Sequence, residues 1–416
     1  MDRDIRELRA RRDLALGEQL RADSGVKRAI EKFRERASGY GFRHRRELLA
    51  GALRLNRTMA PHVADALAEC REALGVREPV EMFVRPDPQF GAFCAKSPSG
   101  HIMIGVTSQL LQHFTAGELK FVLGHELGHV AFDHFAIPMP ITATIEDLGG
   151  PIVGRATQLQ LFVWCRAAEV SADRAGLLCA RDPEVAARAF FKMASGITSD
   201  VIRPDLRAFV EQVESIVSAP AARVKPRDDD DTLDCFSTHP YTPVRVRALL
   251  AFARSRAYAS FIGASQGGEL DQDQVEAVVE RDLALMEPTY LEETTAESSF
   301  MRRLLYHAGV SVAAANGVIT ESEQSALHAL LGHDQAGAPS APEASARELD
   351  ALLASAPERV PLSGRLQLVQ HLTIIAAADG CVDASERDAI ARIAGRLGVD
   401  ERIVDQTLAG AASPMD

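Results

Sequence analysis

The pattern of apolar and polar positions predicts helices over most of the chain, interrupted by one β-rich stretch. Residues 1 to about 58 are charged and predict helices, and Pro61 to Leu74 predict another. Three short apolar runs then predict strands, because they are rich in β-branched or aromatic residues and are bounded by turn residues. These strands are Val80–Val84, Gln89–Ala95 and His101–Val106.

The helix after the strands carries a start signal. Thr115 is followed three residues later by Glu118, the capping-box arrangement in which each side chain satisfies a backbone N–H that the helix leaves free. The apolar sequence KFVLGHELGHVAF continues this helix. Further helices are predicted from about Gln158 to Cys179, over Pro183–Ser195, and up to about Phe261.

The C-terminal part contains an internal repeat. The segment AAANGVITESEQ recurs as AAADGCVDASER 63 residues later, so that Glu323 aligns with Glu386. The spacing imitates half of an EF-hand loop, but loop positions 1 and 3 are apolar in both copies and cannot bind calcium. We interpret Thr320 and Asp383 as helix N-caps, each completed by the glutamate three residues later, rather than as calcium ligands.

Charge excludes one class of protein. The net charge of −12 argues against a nucleic-acid partner, because phosphate binding requires a clustered basic surface. Residues 1–60 nevertheless hold 16 Lys and Arg against 9 Asp and Glu. A basic N-terminal helix of this kind can make peripheral contact with an acidic membrane or a partner. The alternative is a solvated helical face.

The sequence carries no signal for secretion or membrane insertion. The first residues, MDRDIRELRARRD, are charged from the second position, so they lack the apolar core of a signal peptide. No run reaches the roughly 18 apolar residues of a transmembrane helix, and the six cysteines form no C-x-x-C pair. We expect a soluble, cytoplasmic protein with reduced thiols and no transmembrane segment, and the sequence gives no indication of oligomeric state.

His125, Glu126 and His129 form an H-E-x-x-H motif on a predicted helix. Four residues advance a helix by about 400°, so the two imidazoles lie on one face, one turn apart. Both can therefore reach one tetrahedral zinc ion at about 2.0–2.1 Å. Glu126 lies beside them, in position for a water on the metal. The alternative is an amphipathic helix with surface histidines, and the apolar surroundings argue against it.

The third ligand must come from elsewhere in the chain. Phe132 and Phe135 occupy the positions of the glycine and third histidine of the metzincin pattern, which excludes that class. His134 is one residue out of register, and we interpret it as a helix-end residue or a partner of a ligand. Glu169 and Asp173 lie one turn apart on a predicted helix. One carboxylate can bind zinc while the other accepts an N–H from a zinc-bound histidine.

Several segments in chain order together resemble one known family. They are GAFCA, HIMIGVTSQLL, HELGHVAFDH, RAAEVSADRAG and STHPYTPVR. From about Ala64 to Leu250 the chain resembles the CAAX-prenyl-endopeptidase-type, HtpX-like zinc metalloproteases of the gluzincin group. Two departures stand out. Gly91 occupies a position where the family usually has Asn, and the transmembrane helices of many members are not visible in this sequence.

The resemblance implies a role for each site residue. The zinc ligands would be His125, His129 and Glu169, with Asp173 as the partner of a ligand. Glu126 would be the general base that assists attack of a zinc-bound water on the peptide bond. His239 matches the family histidine that stabilises the tetrahedral intermediate, although a turn histidine before proline is the alternative. Arg245 would pair with a buried carboxylate or contact substrate.

The resemblance also implies how substrate binds. The strand His101–Val106 would form the sheet edge along which an extended peptide pairs by β-addition. The residues assigned to this contact are Gly91, Ala92, Phe93, Ile102 and Ile104.

These observations predict an α+β protein followed by an all-α domain. A zincin-type, mostly helical peptidase domain with a small antiparallel sheet is expected at residues 59–262, after a charged helical segment at 1–58. A connecting segment at 263–297 leads to a helical domain at 298–416 that resembles TerB. We expect a zinc-dependent endopeptidase that takes one Zn²⁺ per chain and acts on proteins or peptides. The alternative is a catalytically silent, stress-linked scaffold or interaction protein with a structural zinc site.

Overall fold

Two compact units make up the chain in a computed structural model. The structure describes residues 4–97, 100–137, 155–199, 201, 203–218, 237–264, 267–286, 296–317, 319, 323, 327, 342–360, 362–376, 382–400 and 404. The first unit consists of Met1–Ala143, Trp164–Val217 and His239–Leu283, and the second of Thr144–Val163, Ser218–Thr238 and Ala284–Asp416.

The N-terminal residues form helices that belong to the first unit. They are a 3₁₀ helix at Ile5–Leu8, α1 (Arg11–Ala22) and α2 (Ser24–Gly51). Asp23 caps α2 by accepting the backbone N–H of Val26 at 2.8 Å. Leu8 is completely buried and packs into the main core of the first unit. The N-terminal helices are therefore packed into this unit.

A four-stranded mixed sheet follows. Its strands are β1 (Leu53–Leu55), β2 (Val80–Arg85), β3 (Ala92–Lys96) and β4 (Ile102–Thr107). The order is β1-β2-β4-β3; β2 and β4 are parallel and the other two pairs are antiparallel. The last three strands match the predicted runs closely. The sequence pattern predicts a helix where the structure has β1. This prediction is wrong because three residues are too few to show the alternation of apolar and polar positions that marks a strand.

The prediction of an antiparallel sheet is wrong for its central pair. The turn after Lys96 joins β3 and β4 as an antiparallel hairpin, as expected. Strand β3, however, does not pair with β2, the strand before it in the sequence. Strand β4 lies between them and runs parallel to β2. Sequence periodicity cannot reveal this arrangement, because it gives the faces of a strand but not its neighbours.

Strand β4 is interior, so the prediction that His101–Val106 forms the sheet edge is also wrong. Strands β2 and β3 occupy both of its hydrogen-bonding edges, and all of its residues are buried. Within the described part of the chain, β3 pairs with no second strand. The sheet edge on this side is therefore Ala92–Lys96.

Helices form the rest of this part of the chain. They are α3 (Pro61–Ala73), α4 (Ser108–His113), α5 (Ala116–Ala131), α6 (Arg155–Ala180), α7 (Pro183–Ser195), α8 (Leu206–Ser218), α9 (Thr242–Ala253), α10 (Arg256–Phe261) and α11 (Gln272–Leu283), with 3₁₀ helices at His134–Ala136 and Ala284–Met286. The predicted capping box opens α5. The Glu118 N–H donates to Thr115 Oγ1 at 3.3 Å, and the Thr115 N–H donates to Glu118 Oε2 at 2.7 Å.

Helix α5 lies very close to α6 because glycines face the contact. A Cβ added at Gly128 would lie 2.8 Å from the Cβ of Ala175. On the other helix, a Cβ added at Gly176 would lie 2.7 Å from the carbonyl oxygen of Phe121. A larger residue at either glycine would therefore force the helices apart. This contact sets the distance between the H-E-x-x-H motif on α5 and the acidic residues on α6.

The described part of the second unit is helical. It includes the helices α12 (Ala296–Ala313), α13 (Pro342–Arg359), α14 (Leu362–Ala376) and α15 (Ala384–Arg396), which share a core of buried apolar residues. Asp383 caps α15 as predicted: its Oδ1 accepts the Glu386 N–H at 2.9 Å, and Glu386 Oε2 accepts the Asp383 N–H at 2.9 Å. The other predicted cap, Thr320, lies outside the described residues.

The predicted fold class, α+β followed by all-α, is confirmed. The first unit is wider than the predicted domain at residues 59–262, because it also includes α1, α2 and α11. The boundaries predicted at residues 58, 262 and 297 stay predictions. In the described residues, none of the helices has both the length and the apolar character needed to cross a bilayer.

Replacing Gly128 by alanine should push α5 away from α6. Overpacking of this kind typically costs about 1–3 kcal/mol, and it outweighs the roughly 0.5–1 kcal/mol that alanine gains over glycine in a helix. We expect a lower midpoint of thermal unfolding, measured by circular dichroism. Gly51→Ala in the same unit is the control, since a Cβ there meets nothing within 4 Å. Equal midpoints of thermal unfolding for Gly128→Ala and Gly51→Ala would contradict the close contact between α5 and α6.

Candidate metal centre

Helices α5 and α6 bring the side chains of His125, His129 and Glu169 together. His125 Nε2 lies 3.4 Å from Glu169 Oε2, and His129 Nε2 lies 3.3 Å from Glu169 Oε1. The two Nε2 atoms are 3.3 Å apart. Within the described ranges, no other group of three or more His, Cys, Asp or Glu is close enough to hold a metal ion. The three residues assigned as ligands from the sequence are thus neighbours in the fold.

The spacing of these atoms fits a tetrahedral zinc ion. Ligand atoms at about 2.0–2.1 Å from zinc lie about 3.3–3.4 Å from one another. The two Nε2 atoms are 3.3 Å apart, and each faces a different oxygen of Glu169, at 3.4 Å for His125 and 3.3 Å for His129. Glu169 Oε2 is buried and accepts no hydrogen bond from a described residue. Arg245 Nη2 lies 3.1 Å from this oxygen and compensates part of its charge, and a metal ion would bond to it directly. Two imidazoles and one carboxylate are also a known ligand set of catalytic zinc.

Asp173 determines the orientation of His125. Its Oδ1 lies 2.9 Å from His125 Nδ1, so the ring donates its Nδ1–H and turns Nε2 toward Glu169. This bond selects the tautomer and makes the free nitrogen more basic. Arg245 on α9 holds Asp173 in turn, donating two N–H groups to it at 2.9 and 2.7 Å.

Arg245 lies behind both carboxylates of α6. Its Nη2 is 3.1 Å from Glu169 Oε2 without hydrogen-bond geometry, and its guanidinium lies over the ring of Phe190 at 4.8 Å. Only 13% of the side chain is exposed, which favours pairing with the buried carboxylates over contact with substrate. Burial lowers the pKa of Arg245, but Asp173 and Glu169 raise it more, so the guanidinium stays charged.

The metal-side carboxylate stays ionised despite its burial. Burial raises the pKa of Glu169, but the electrostatic interactions with His239 and Arg245 lower it more strongly, to well below the usual range. Burial also raises the pKa of Asp173, and the charge and hydrogen bonds of Arg245 outweigh it. Both carboxylates are therefore acceptors only, as a ligand and its partner require.

Glu126 lies between the two histidines on α5 and is buried. Burial raises the pKa of Glu126 above its ordinary value, and the two histidines offset this only in part. A raised pKa makes the carboxylate a better proton acceptor near neutral pH. Strand β3 packs against α5, the helix that carries Glu126. Burial, and to a smaller extent the charge of Glu126, raise the pKa of the Cys94 thiol.

His239 reaches the site from the segment that precedes α9. Its Nε2 lies 3.6 Å from Glu169 Oε1, and 61% of its side chain is exposed. It is therefore both near the ligands and accessible from solvent. A side chain that donates a hydrogen bond to a substrate oxygen must have both properties.

The five residues predicted to bind substrate do not form one surface. Ile102 and Ile104 on β4 are completely buried, so their side chains cannot contact substrate, and this assignment needs correction. Phe93 lies on β3 but its ring packs into a small cluster on the opposite face of the sheet from the main core. Gly91 and Ala92 are partly exposed next to and within the edge strand.

A buried network that the sequence pattern did not indicate lies behind His129. His129 Nδ1 is 2.9 Å from Nδ1 of His134, and His134 Nε2 is 3.1 Å from Oδ2 of Asp13. The two ring nitrogens of His134 thus contact His129 and Asp13 rather than facing Glu169, which argues against His134 as a metal ligand. Asp13 is completely buried, although it comes from the charged N-terminal part of the chain.

One signal in the sequence points to Asp13. It lies on the face of α1 that also carries Gly17 and Leu20, one and two turns further on, and all three are buried. A carboxylate on a buried helix face requires partners, because an uncompensated buried charge costs several kcal/mol, roughly. The sequence does not show which residues those partners are.

The chain matches two family profiles. Peptidase family M48 matches residues 58–253, and Tellurite resistance protein TerB matches residues 302–408. The resemblance to HtpX-like metalloproteases with a C-terminal TerB-like domain is therefore confirmed. No solved structure matches the chain.

Curated relatives share the first of these regions. The chain is 31% identical over 201 residues to the plastoglobule-localized metallopeptidase 48, chloroplastic, of Arabidopsis thaliana, covering 47% of this chain and 58% of that protein. It is 27% identical over 237 residues to the Protease HtpX homolog of Sulfurihydrogenibium sp. (strain YO3AOP1), covering 49% of this chain and 78% of that protein. The chain thus spans somewhat more than half the length of the Arabidopsis relative.

Replacing Asp173 by asparagine should weaken zinc binding without removing a ligand. The amide oxygen can still accept the His125 N–H, but it lacks the negative charge that makes the ring more basic, and loss of such a partner typically costs about 10–100-fold in metal affinity. Competition with a chromophoric chelator measures the dissociation constant. Glu169→Gln serves as the reference for a lost ligand and should bind far more weakly. If the two variants lost equal affinity, the separate roles of Asp173 and Glu169 would be wrong.

Proposed function

We propose that the chain is a zinc-dependent endopeptidase, from the premise that residues 58–253 match Peptidase family M48 and residues 302–408 match TerB. Its substrates would be proteins or peptides. The observation that carries the proposal is the spacing of His125, His129 and Glu169, whose facing atoms lie 3.3–3.4 Å apart. Zinc would be held by these three residues, with its remaining position open to substrate.

The chain's own groups supply the proton transfers. When bound, zinc polarises the scissile carbonyl and lowers the pKa of a water on it to about 7. Glu126 accepts the proton of the attacking water at its carboxylate, and it can then deliver that proton to the departing amine. Its place between the two histidines and its raised pKa both support this role.

His239 is proposed to stabilise the oxyanion that forms from the scissile carbonyl. Its exposed ring lies beside the metal ligands, so a donated N–H can meet the developing charge. Donors of this kind stabilise the transition state more than the ground state, because the charge appears only there.

Substrate is proposed to bind along β3 rather than β4. An extended peptide can hydrogen-bond to an unpaired sheet edge, and in the described residues Ala92–Lys96 is the edge on this side of the sheet. This strand packs against α5, the helix that carries Glu126. A peptide on β3 would therefore pass the general base.

The alternative of a silent scaffold with a structural zinc site is not favoured. Structural zinc sites use four protein ligands, whereas the cluster found in the described residues contains three. Relatives named as a metallopeptidase and a protease also support the enzyme. The cytoplasmic location, the lack of a nucleic-acid partner and the peripheral membrane contact stay predictions.

Glu126→Gln should abolish proteolysis while zinc stays bound. The amide cannot accept a proton, but it leaves the ligands in place, so one zinc per chain is expected. The measurements are cleavage of an unfolded protein substrate and metal content by mass spectrometry. Wild-type activity in the zinc-loaded variant would contradict the assignment of the general base.

His239→Ala should lower turnover and leave zinc content unchanged. Loss of one oxyanion donor typically costs about 10²–10³ in rate, roughly 2.7–4 kcal/mol. His113→Ala is the matched control, since His113 ends α4 in the same unit and is not part of the metal cluster. Loss of zinc from the His239 variant would indicate a ligand instead of an oxyanion donor.

A further inference from the structure

We propose that the N-terminal helix α1 contributes to metal binding. Its residue Asp13, acting through His134, holds His129 in the tautomer and orientation that bind the metal. Asp13 is thus a positioning residue. The inference rests on the proposed zinc site, and it adds a segment that lies outside the region matched by the peptidase family profile, which begins at residue 58.

The contacts form a continuous path from the ligand to the N-terminus. His129 Nδ1 and His134 Nδ1 are 2.9 Å apart, and His134 Nε2 is 3.1 Å from Asp13 Oδ2. His134 and Asp13 are both buried, with 1% and 0% of their side chains exposed. Water is therefore not the natural partner of these groups, and each must be satisfied by the next along the path.

The donors around Asp13 determine where the protons lie. Besides His134, its carboxylate accepts two N–H groups of Arg9 at 2.9 and 2.8 Å, the indole N–H of Trp164 at 3.1 Å and the hydroxyl of Ser171 at 2.7 Å. A carboxylate surrounded by donors is ionised and accepts only. The nitrogen of His134 that faces it must therefore carry a proton.

The remaining tautomers follow from this assignment. A neutral His134 with its proton on Nε2 has a lone pair on Nδ1, which can only accept. His129 must then donate its own Nδ1–H to His134, and its Nε2 is left with a lone pair directed at Glu169. That atom is the one needed for the metal. Asp13 thus does for His129, through one intervening ring, what Asp173 does directly for His125.

A separate set of contacts docks the same segment without touching the ligands. Arg174 donates its Nη1 to the backbone oxygen of Leu8 at 3.3 Å and to Glu276 at 2.9 Å. Glu276 also accepts the backbone N–H of Arg11 at 3.2 Å. This buried ion pair provides a matched control, because it holds the N-terminal segment in place but has no contact with His129 or His134.

The first experiment compares zinc affinity in the full chain, measured by chelator competition. Wild type should bind one zinc, and failure here would reject the proposed function itself rather than this inference. Asp13→Asn should bind zinc about 10–100-fold more weakly, the usual cost of a lost ligand partner. Glu276→Gln should lower the unfolding midpoint but keep wild-type zinc affinity. Equal zinc affinity in wild type and folded Asp13→Asn would overturn the inference.

Variants of His134 test the path even if Asp13→Asn does not fold. His134→Leu removes both hydrogen bonds and should lose the same 10–100-fold in affinity. His134→Gln offers one donor and one acceptor and should recover much of that loss. Zinc affinity of His134→Leu equal to that of wild type would overturn the inference.

The double variant separates positioning from general stability. If Asp13 acts through His134, then adding Asp13→Asn to His134→Leu should cause no further loss of zinc affinity, since coupled residues are not additive. If the two losses multiplied instead, Asp13 would act independently of His134, and the proposed path would be wrong.

Discussion

The close contact between α5 and α6 is the constraint on which the rest of the site depends. Gly124 and Gly128 on one helix and Gly176 on the other leave no room for a Cβ at the interface. Because the backbones approach so closely, a carboxylate on α6 reaches the two imidazoles on α5 at 3.3–3.4 Å. The candidate metal site is therefore a product of helix packing, and its geometry is set by two helices rather than by loops.

Around this contact, carboxylates from distant parts of the chain orient the two imidazoles. Asp173 serves His125 directly, and Asp13 serves His129 through His134. Arginines in turn compensate the buried charges, Arg245 at the first carboxylate and Arg9 at the second. The hydrogen bond at Nδ1 of each histidine orients its ring with Nε2 toward Glu169, which reduces the ordering that metal binding requires.

Local features of the site could be predicted from the sequence, and long-range ones could not. The H-E-x-x-H pair and the Glu169–Asp173 pair each lie one turn apart, so helical periodicity places them on one face. The capping boxes at Thr115 and Asp383 are equally local. Strand order is not local, and the insertion of β4 between β2 and β3 buried Ile102 and Ile104. The contact of Asp13 with His134 spans 121 residues, and no periodicity in one sequence encodes it.

A crystal structure of the zinc-loaded protein with anomalous scattering at the zinc edge tests the proposed metal site most directly. We predict one zinc peak bonded to His125 Nε2, His129 Nε2 and Glu169 at about 2.0–2.2 Å, with His134 still between His129 and Asp13. A peak bonded to His134 or held by any other set of ligands would contradict it, as would the absence of zinc from these three residues.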